Sequence, residues 1–186
     1  MDNGFLKFKT ATSETDLQGI LLLQSENHLN NIKDYKEGFV TVKHDFNVLK
    51  KMNDLSPHVI ALENKTIAGY VLAMTKDSKE DVPILVPMFE LFDQLKFKGK
   101  KISTYNYLVV GQVCVGKDFR GKGIFDQLYE TYKTVHSNKF EFAVTEIATN
   151  NLRSLNAHKR IGFREIHRYS DTIPMEWSIV LWDWKS

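Results

Sequence analysis

The stretch KDFRGKGIFDQLYETYKTV, residues 117–135, joins a glycine-rich turn to a helical pattern. Its first seven residues hold two glycines and three basic side chains. Glycines let backbone N–H groups converge on one point, and the helix dipole adds positive potential there, so this pattern favours a phosphate site. The alternative is a solvated connection between a strand and a helix. The turn is neither a P-loop nor a dinucleotide fingerprint, because it lacks GK[ST] and a third glycine.

The rest of the chain predicts alternating strands and helices around this turn. Ser13 and Asp16 have the spacing of a capping box before a helical pattern, and Asn64 marks a hairpin turn within residues 58–75. Asn150 or Asn151 opens a later helix that Gly162 ends. The predicted order is β-α-α-β-β-(short α)-β-α-β-α-β-β, an α/β (α+β) fold with a mixed sheet. Since no linker divides the pattern, we expect a single domain over residues 1–186.

The composition excludes several classes of protein. The 186 residues are 42% hydrophobic, and 25 basic residues against 23 acidic ones give a net charge of +2, which argues against a nucleic-acid partner. With one cysteine and no His-x-x-x-His or His-x-His spacing, we expect no intrachain disulfide and no metal site. The sequence shows neither a signal-peptide core nor an apolar run of membrane-spanning length, so a cytoplasmic protein without a membrane partner is expected.

A second segment, NLRSLNAHKRIGF at residues 151–163, decides what the turn binds. The two segments together resemble the GNAT superfamily of acetyl-CoA-dependent N-acetyltransferases. Residues 120–125, RGKGIF, match the family signature [QR]-x-x-G-x-[GA]. The second family pattern, N-x-x-[AS]-x-x-x-Y-x-x-x-G-F, is matched by Asn151, Ser154, His158, Gly162 and Phe163. Phe125 and His158 depart from the family, which usually has a small residue and a tyrosine at these places.

The resemblance implies a twisted central sheet of about six to seven strands flanked by helices, and acetyl transfer by direct attack of an amine on acetyl-CoA. It implies that backbone groups of Val113, Cys114 and Val115 pair with the pantetheine arm, which Asn151 also contacts. The resemblance assigns the pyrophosphate to the N–H groups of Arg120, Gly121, Lys122, Gly123 and Ile124. The partners it implies are therefore acetyl-CoA and an amine acceptor.

Three side chains have competing interpretations. His158 stands where the family has a tyrosine that protonates the leaving thiolate, so it is the candidate catalytic acid; the alternative is a packing or capping histidine. Cys114 lacks a local feature that would lower its pKa, so a packed core thiol is favoured over a nucleophile. Gln112 is either a group that orients substrate or water, or a polar residue on a solvated sheet surface.

The general base is missing from the strand before the signature, since residues 105–115 contain no carboxylate. A carboxylate from another segment could supply it, the candidates being Glu26, Asp34, Glu90 and Asp93. Otherwise water carries the proton away, or the amine arrives neutral. The missing base and the histidine at 158 keep an alternative function open, a catalytically weak or inactive acyl-CoA-binding protein with a regulatory or sensing role.

Residues 77–104 form a long connection with an apolar stripe, which comprises Met88, Phe89, Leu91, Phe92 and Leu95. Such a stripe needs a surface to bury against. That surface is either the core of this domain or a second copy in a homodimer. The functional alternative is a cover over the acceptor end of the cofactor cleft, in which Glu90 or Asp93 reaches the cationic amine.

Overall fold

The computed structural model describes residues 6–31, 39–170 and 175–185. The helices are α1 (Glu14–Glu26), α2 (Phe46–Leu55), α3 (Val86–Gln94), α4 (Ile124–His136) and α5 (Leu152–Ile161). The strands are β1 (Leu6–Thr10), β2 (Val59–Glu63), β3 (Thr66–Met74), β4 (Lys96–Phe97), β5 (Lys100–Lys101), β6 (Tyr107–Val115), β7 (Phe142–Ala148), β8 (Arg164–Ser170) and β9 (Glu176–Asp183).

Seven of the strands form one mixed sheet in the order β1-β2-β3-β6-β7-β9-β8. The pairing of β6 with β7 is parallel and the other pairings are antiparallel. Because side chains alternate across a strand, the sheet has an apolar layer on each face. Ile20 of α1, Leu49 of α2 and Phe92 of α3 pack on one face, and Leu128 and Tyr129 of α4 pack on the other.

Local signals in the sequence set most of the element ends. Ser13 and Asp16 form the expected reciprocal capping box at the start of α1. Asn151 caps α5, and Gly162 ends it with a φ of 112°, as the pattern predicts. Asn64 takes a left-handed φ of 48° in the β2–β3 hairpin. The segment SETDLQGILLLQSENHL, residues 13–29, predicts a longer first helix than the structure has, because α1 ends at Glu26.

The long connection is structured throughout. It contains 3-10 turns, α3 and a two-stranded ribbon of β4 and β5, which the sequence analysis did not predict. Its apolar stripe packs into the core, where Phe92 and Phe89 are buried, so packing on the chain's own core is confirmed. That burial removes the reason for expecting a homodimer. The apolar run STYNYLVVGQVCV, residues 103–115, predicts one long strand, but β6 begins only at Tyr107 because a 3-10 turn covers Ile102–Thr104.

Candidate active site

The strands β6 and β7 separate halfway along their length. Their parallel pairing covers only Tyr107–Val109 opposite Phe142–Val144, although both strands continue. Where the pairing stops, the hydroxyl of Thr145 donates a hydrogen bond of 2.9 Å to the carbonyl of Val110. Gly111 is the extra residue of a bulge against β3, after which the register resumes. The edge of β6 beyond the bulge thus lacks a ladder partner on the β7 side, among the strands that the structure describes.

The glycine turn lies at the end of this separated strand. Gly121 and Gly123 have φ values of 77° and 74°, in the left-handed region that favours glycine. A Cβ built on either residue would meet no atom of the described part of the chain within 4 Å, so the turn has open space around it. Among the residues that the structure describes, no side chain caps α4, which begins at Ile124. Its first N–H groups are therefore free to bind an anion.

A cleft of about 560 Å³ connects the turn, the separated strand and α5. Eight of the nine residues assigned to the cofactor by the resemblance line it, namely Val113, Cys114, Val115, Arg120, Gly121, Gly123, Ile124 and Asn151. Lys122 does not line the cleft, since its ammonium lies 3.9 Å from the carboxylate of Glu63 and over the ring of Phe119. If Lys122 contributes to anion binding, it therefore does so through its backbone.

Arg120 fixes the position of the turn. Its Nε donates to the carbonyl of Val115 at 3.1 Å, and its Nη2 donates to Oδ1 of Asn27 at 2.9 Å. The side chain thus joins the end of β6 to the end of α1. Asn151 has a similar linking position, because its Oδ1 accepts from the N–H of Ser154 at 3.2 Å and its Nδ2 lies 3.5 Å from the carbonyl of Phe39.

Cys114 and Phe125 both line the cleft, but their side chains pack against neighbouring core residues. Burial raises the pKa of the Cys114 thiol to about 12, so the thiol stays protonated near neutral pH, as expected of a packed cysteine. Phe125 is partly buried, with its ring centroid 5.0 Å from that of Tyr129 and 5.2 Å from that of His158. The aromatic departure from the family signature is therefore accommodated beside α5 without closing the turn.

His158 is buried between α4 and α5. Its Nε2 lies 2.6 Å from the hydroxyl of Tyr129 and its Nδ1 lies 2.8 Å from the carbonyl of Ser154. Burial lowers the pKa of His158 to about 4, so the ring is neutral near pH 7. A neutral ring in this geometry donates from Nδ1 to Ser154 and accepts at Nε2 from Tyr129.

Glu146 is the site residue that the sequence analysis missed. It lies on β7, on the same sheet face as Gln112, and both line a narrow passage of about 90 Å³ next to the cleft. The hydroxyl of Tyr169 donates to its Oε2 at 2.7 Å. His158 also lines this passage. The sequence does carry a signal for it, since Glu146 is the single carboxylate in the apolar run FAVTEIA, residues 142–148. That run forms the strand after residues 105–115, where the base was expected.

The carboxylates proposed from the sequence lie elsewhere. Glu90 is exposed on α3, and Asp93 accepts a 2.9 Å hydrogen bond from Tyr107. Glu26 lines a groove that adjoins the cleft at Asn27 and Arg120, but it lines neither the cleft nor the passage. Asp34 lies outside the described residues. Since neither Glu90 nor Asp93 lines the cleft or the passage, the geometry gives the cover hypothesis no support.

Two features are absent from the described residues. No helix among these residues combines the length and hydrophobicity needed to cross a membrane. Over the same ranges, His, Cys, Asp and Glu side chains form no group of three or more that could hold a metal ion.

Comparisons with known proteins agree with this geometry. The family model described as Acetyltransferase (GNAT) family matches residues 22–163. No curated protein matches the chain.

Three solved structures show the extent of the structural likeness. The ribosomal-protein-S18-alanine N-acetyltransferase from Escherichia coli has a TM-score of 0.63 at 11% identity, covering 96% of this chain and 94% of that one. The protein yncA from Salmonella typhimurium, solved with its cofactor acetyl-CoA, has a TM-score of 0.66 at 15% identity over 98% of this chain and 95% of that one. Arabidopsis thaliana NAA60 in complex with acetyl-CoA has a TM-score of 0.65 at 12% identity over 96% and 99%. At these identities the likeness shows the fold, which the two sequence motifs correctly predicted.

Proposed function

Because this chain belongs to the GNAT acetyltransferase family, we propose that it transfers an acetyl group from acetyl-CoA to a primary amine by direct attack, within one N-acetyltransferase domain spanning residues 1–186. The observation that carries the proposal is the separation of β6 from β7. One end of the opened strand leads to the glycine turn, and the passage beside it contains a carboxylate. Cofactor and amine thus reach the separated strands from adjoining openings.

The residues of the cleft fit acetyl-CoA. The open turn at Gly121 and Gly123, followed by an uncapped helix start, suits a pyrophosphate. The edge of β6 from Val113 to Val115 offers backbone groups to the amides of the pantetheine arm, and Asn151 lines the same cleft. When bound, acetyl-CoA supplies the thioester carbonyl that the amine attacks.

We assign the general base to Glu146. A cationic amine must lose a proton before it can attack a carbonyl, and a carboxylate within hydrogen-bond reach can accept that proton. Among the described residues that line the passage, Glu146 and His158 are the titratable ones, and His158 is held neutral by burial. The hydroxyl of Tyr169 holds the carboxylate in place by donating to Oε2.

The role of His158 as the acid stays a prediction, and its surroundings define how it would act. A neutral imidazole stabilises a thiolate by donating a hydrogen bond, as a tyrosine hydroxyl would, but it is a poor source of a transferable proton. Both ring nitrogens already have partners, Tyr129 and Ser154. The ring must therefore exchange one of these hydrogen bonds to reach the leaving sulfur.

The test is a CoA-release assay with a panel of primary amines, run on the wild type, on Glu146→Gln and on Glu176→Gln. Glu176 lies on the neighbouring strand with its carboxylate on Arg168, away from the passage, so it serves as the matched control. We expect Glu146→Gln to lower turnover at least tenfold while Glu176→Gln leaves it unchanged. If the wild type binds acetyl-CoA and releases no CoA with any amine, the chain is the acyl-CoA-binding protein of the alternative instead. Equal turnover of all three proteins would remove Glu146 from the mechanism.

A further inference from the structure

Residues 39–44 cross the sheet face that carries Gln112 and Glu146, and we call this segment the strap. Phe39 and Val40 line both the cleft and the passage, so the strap lies at the boundary between them. The end of α1 holds the strap through backbone bonds. The N–H of Val40 donates to the carbonyl of Asn27 at 3.1 Å, and the N–H of Leu29 donates to the carbonyl of Val40 at 2.9 Å.

Two buried amides hold the other end of the strap. Nε2 of Gln112 donates to the carbonyl of Val42 at 2.8 Å, and the N–H of His44 donates to Oε1 of Gln24 at 2.9 Å. Nε2 of Gln24 donates to Oε1 of Gln112 at 3.0 Å, which joins the two amides. The hydroxyl of Tyr70 donates to the same Oε1 at 2.6 Å.

This network has a defined direction. Because Nε2 of Gln112 must face the carbonyl of Val42, its Oε1 is left to accept from Tyr70 and Gln24. The amide of Gln24 is then oriented so that its oxygen receives the N–H of His44. Gln24 and Gln112 are both buried, and a buried amide with an unmet bond is costly, so the network allows one position of the strap.

We propose that Gln112 and Gln24 are positioning residues that fix the strap over the separated strands and so set the opening through which the amine reaches Glu146. This inference rests on the proposed function. Gln112 is buried, so the interpretation of it as a polar residue on a solvated sheet surface is wrong. Residues 39–42 of the strap line the same passage as Glu146, and the hydrogen bond from Gln112 to the carbonyl of Val42 ties the strap to β6.

The test compares Gln112→Met and Gln24→Met with Tyr70→Phe. Methionine keeps the length of the side chain and removes the amide that reaches the strap, whereas Tyr70→Phe removes one hydroxyl from the same network and leaves both strap bonds in place. Hydrogen exchange of the strap amides is measured first, without substrate. We expect at least tenfold faster exchange of the strap in the two Met variants and an unchanged strap in Tyr70→Phe.

The second arm measures kinetics and cofactor binding. We expect the KM for the amine to rise at least tenfold in both Met variants, while the Kd for acetyl-CoA from calorimetry stays within twofold of wild type. Unchanged strap exchange in the Met variants overturns the proposal whether or not the protein has transferase activity. Faster strap exchange with an unchanged amine KM also overturns it, because the network is then purely structural. If the wild type acetylates no amine, the proposed function is wrong, and so is the role of the strap in admitting the amine. The hydrogen-exchange data would still show whether Gln112 and Gln24 fix the strap.

Discussion

His44 offers a sharp test of how burial acts on charge in this protein. Its side chain is 5% exposed, and neither ring nitrogen has a hydrogen-bond partner among the described residues. Burial lowers the pKa of His44 from 6.5 to about 4, with a smaller opposing effect of the Asp45 carboxylate. We therefore expect His44→Leu, which has a similar volume and no polar atoms, to raise the free energy of unfolding.

The size of the gain depends on pH in a calculable way. At pH 7.5 the ring is neutral in both states, and leucine removes only the cost of burying unpaired nitrogens, about 1 kcal/mol. The pKa of His44 is lower in the folded state than in the unfolded state. The part of the wild-type stability that depends on the protonation of His44 is therefore fully present above pH 6.5 and is lost as the pH falls toward 4. At pH 5 His44 is protonated in the unfolded state and mostly neutral in the folded state, which adds about 2 kcal/mol to the stability gained by His44→Leu.

The assay is urea denaturation of His44→Leu at pH 7.5 and pH 5. The expected gain is about 1 kcal/mol at pH 7.5 and about 3 kcal/mol at pH 5, with an unchanged m-value. His167→Leu is the control, because His167 is only partly buried on the edge strand β8. Its effect should stay within about 0.5 kcal/mol at both pH values. A His44→Leu protein that is less stable than wild type, or that gains equally at both pH values, would refute the reasoning.

Three further outcomes are expected. Asn151→Ala should lose about 1 kcal/mol of stability, measured by thermal melting, together with affinity for acetyl-CoA, measured by calorimetry. Asn151→Ser should recover most of the stability but less of the affinity. If the stability and the affinity recover equally, Asn151 is only a helix cap. If His158 assists the leaving sulfur, His158→Phe should lower turnover at least tenfold, while Tyr129→Phe should leave turnover unchanged. Equal turnover per folded molecule in the two variants would assign His158 to packing. The double variant Glu90→Gln, Asp93→Asn should leave amine kinetics unchanged, because neither side chain lines the passage, and a tenfold loss would restore the cover hypothesis.

The fold could be predicted from the sequence because its signals are local. The glycines of the turn and the capping residue Asn151 act within a few positions of themselves, so their spacing carries the information. The capping box at Ser13 and the hairpin turn at Asn64 followed in the same way from local residues. The ribbon of β4 and β5 was missed because each of its strands is only two residues long, too short to show a period.

The acceptor side of the site could not be predicted, because it depends on contacts between distant residues. Gln112 meets Gln24 across 88 positions and Val42 across 70, and no short pattern records such pairs. Glu146 was missed for a related reason. Its position in the site depends on the separation of β6 from β7, which is a property of two strands and not of one.

The most direct test of the account is calorimetric titration of acetyl-CoA into the wild type, Gly121→Glu and Gly99→Glu. Gly99, in the ribbon turn outside the cleft, has a φ of 80° against 77° for Gly121, and a Cβ on either residue would meet no atom within 4 Å. Both variants should therefore lose a similar amount of stability, about 1 kcal/mol, from backbone strain alone. We expect Gly99→Glu to bind acetyl-CoA like the wild type and Gly121→Glu to lose at least 100-fold in affinity, because the glutamate side chain blocks and repels the pyrophosphate. Equal affinity of the two folded variants would contradict the central claim that this turn holds the cofactor.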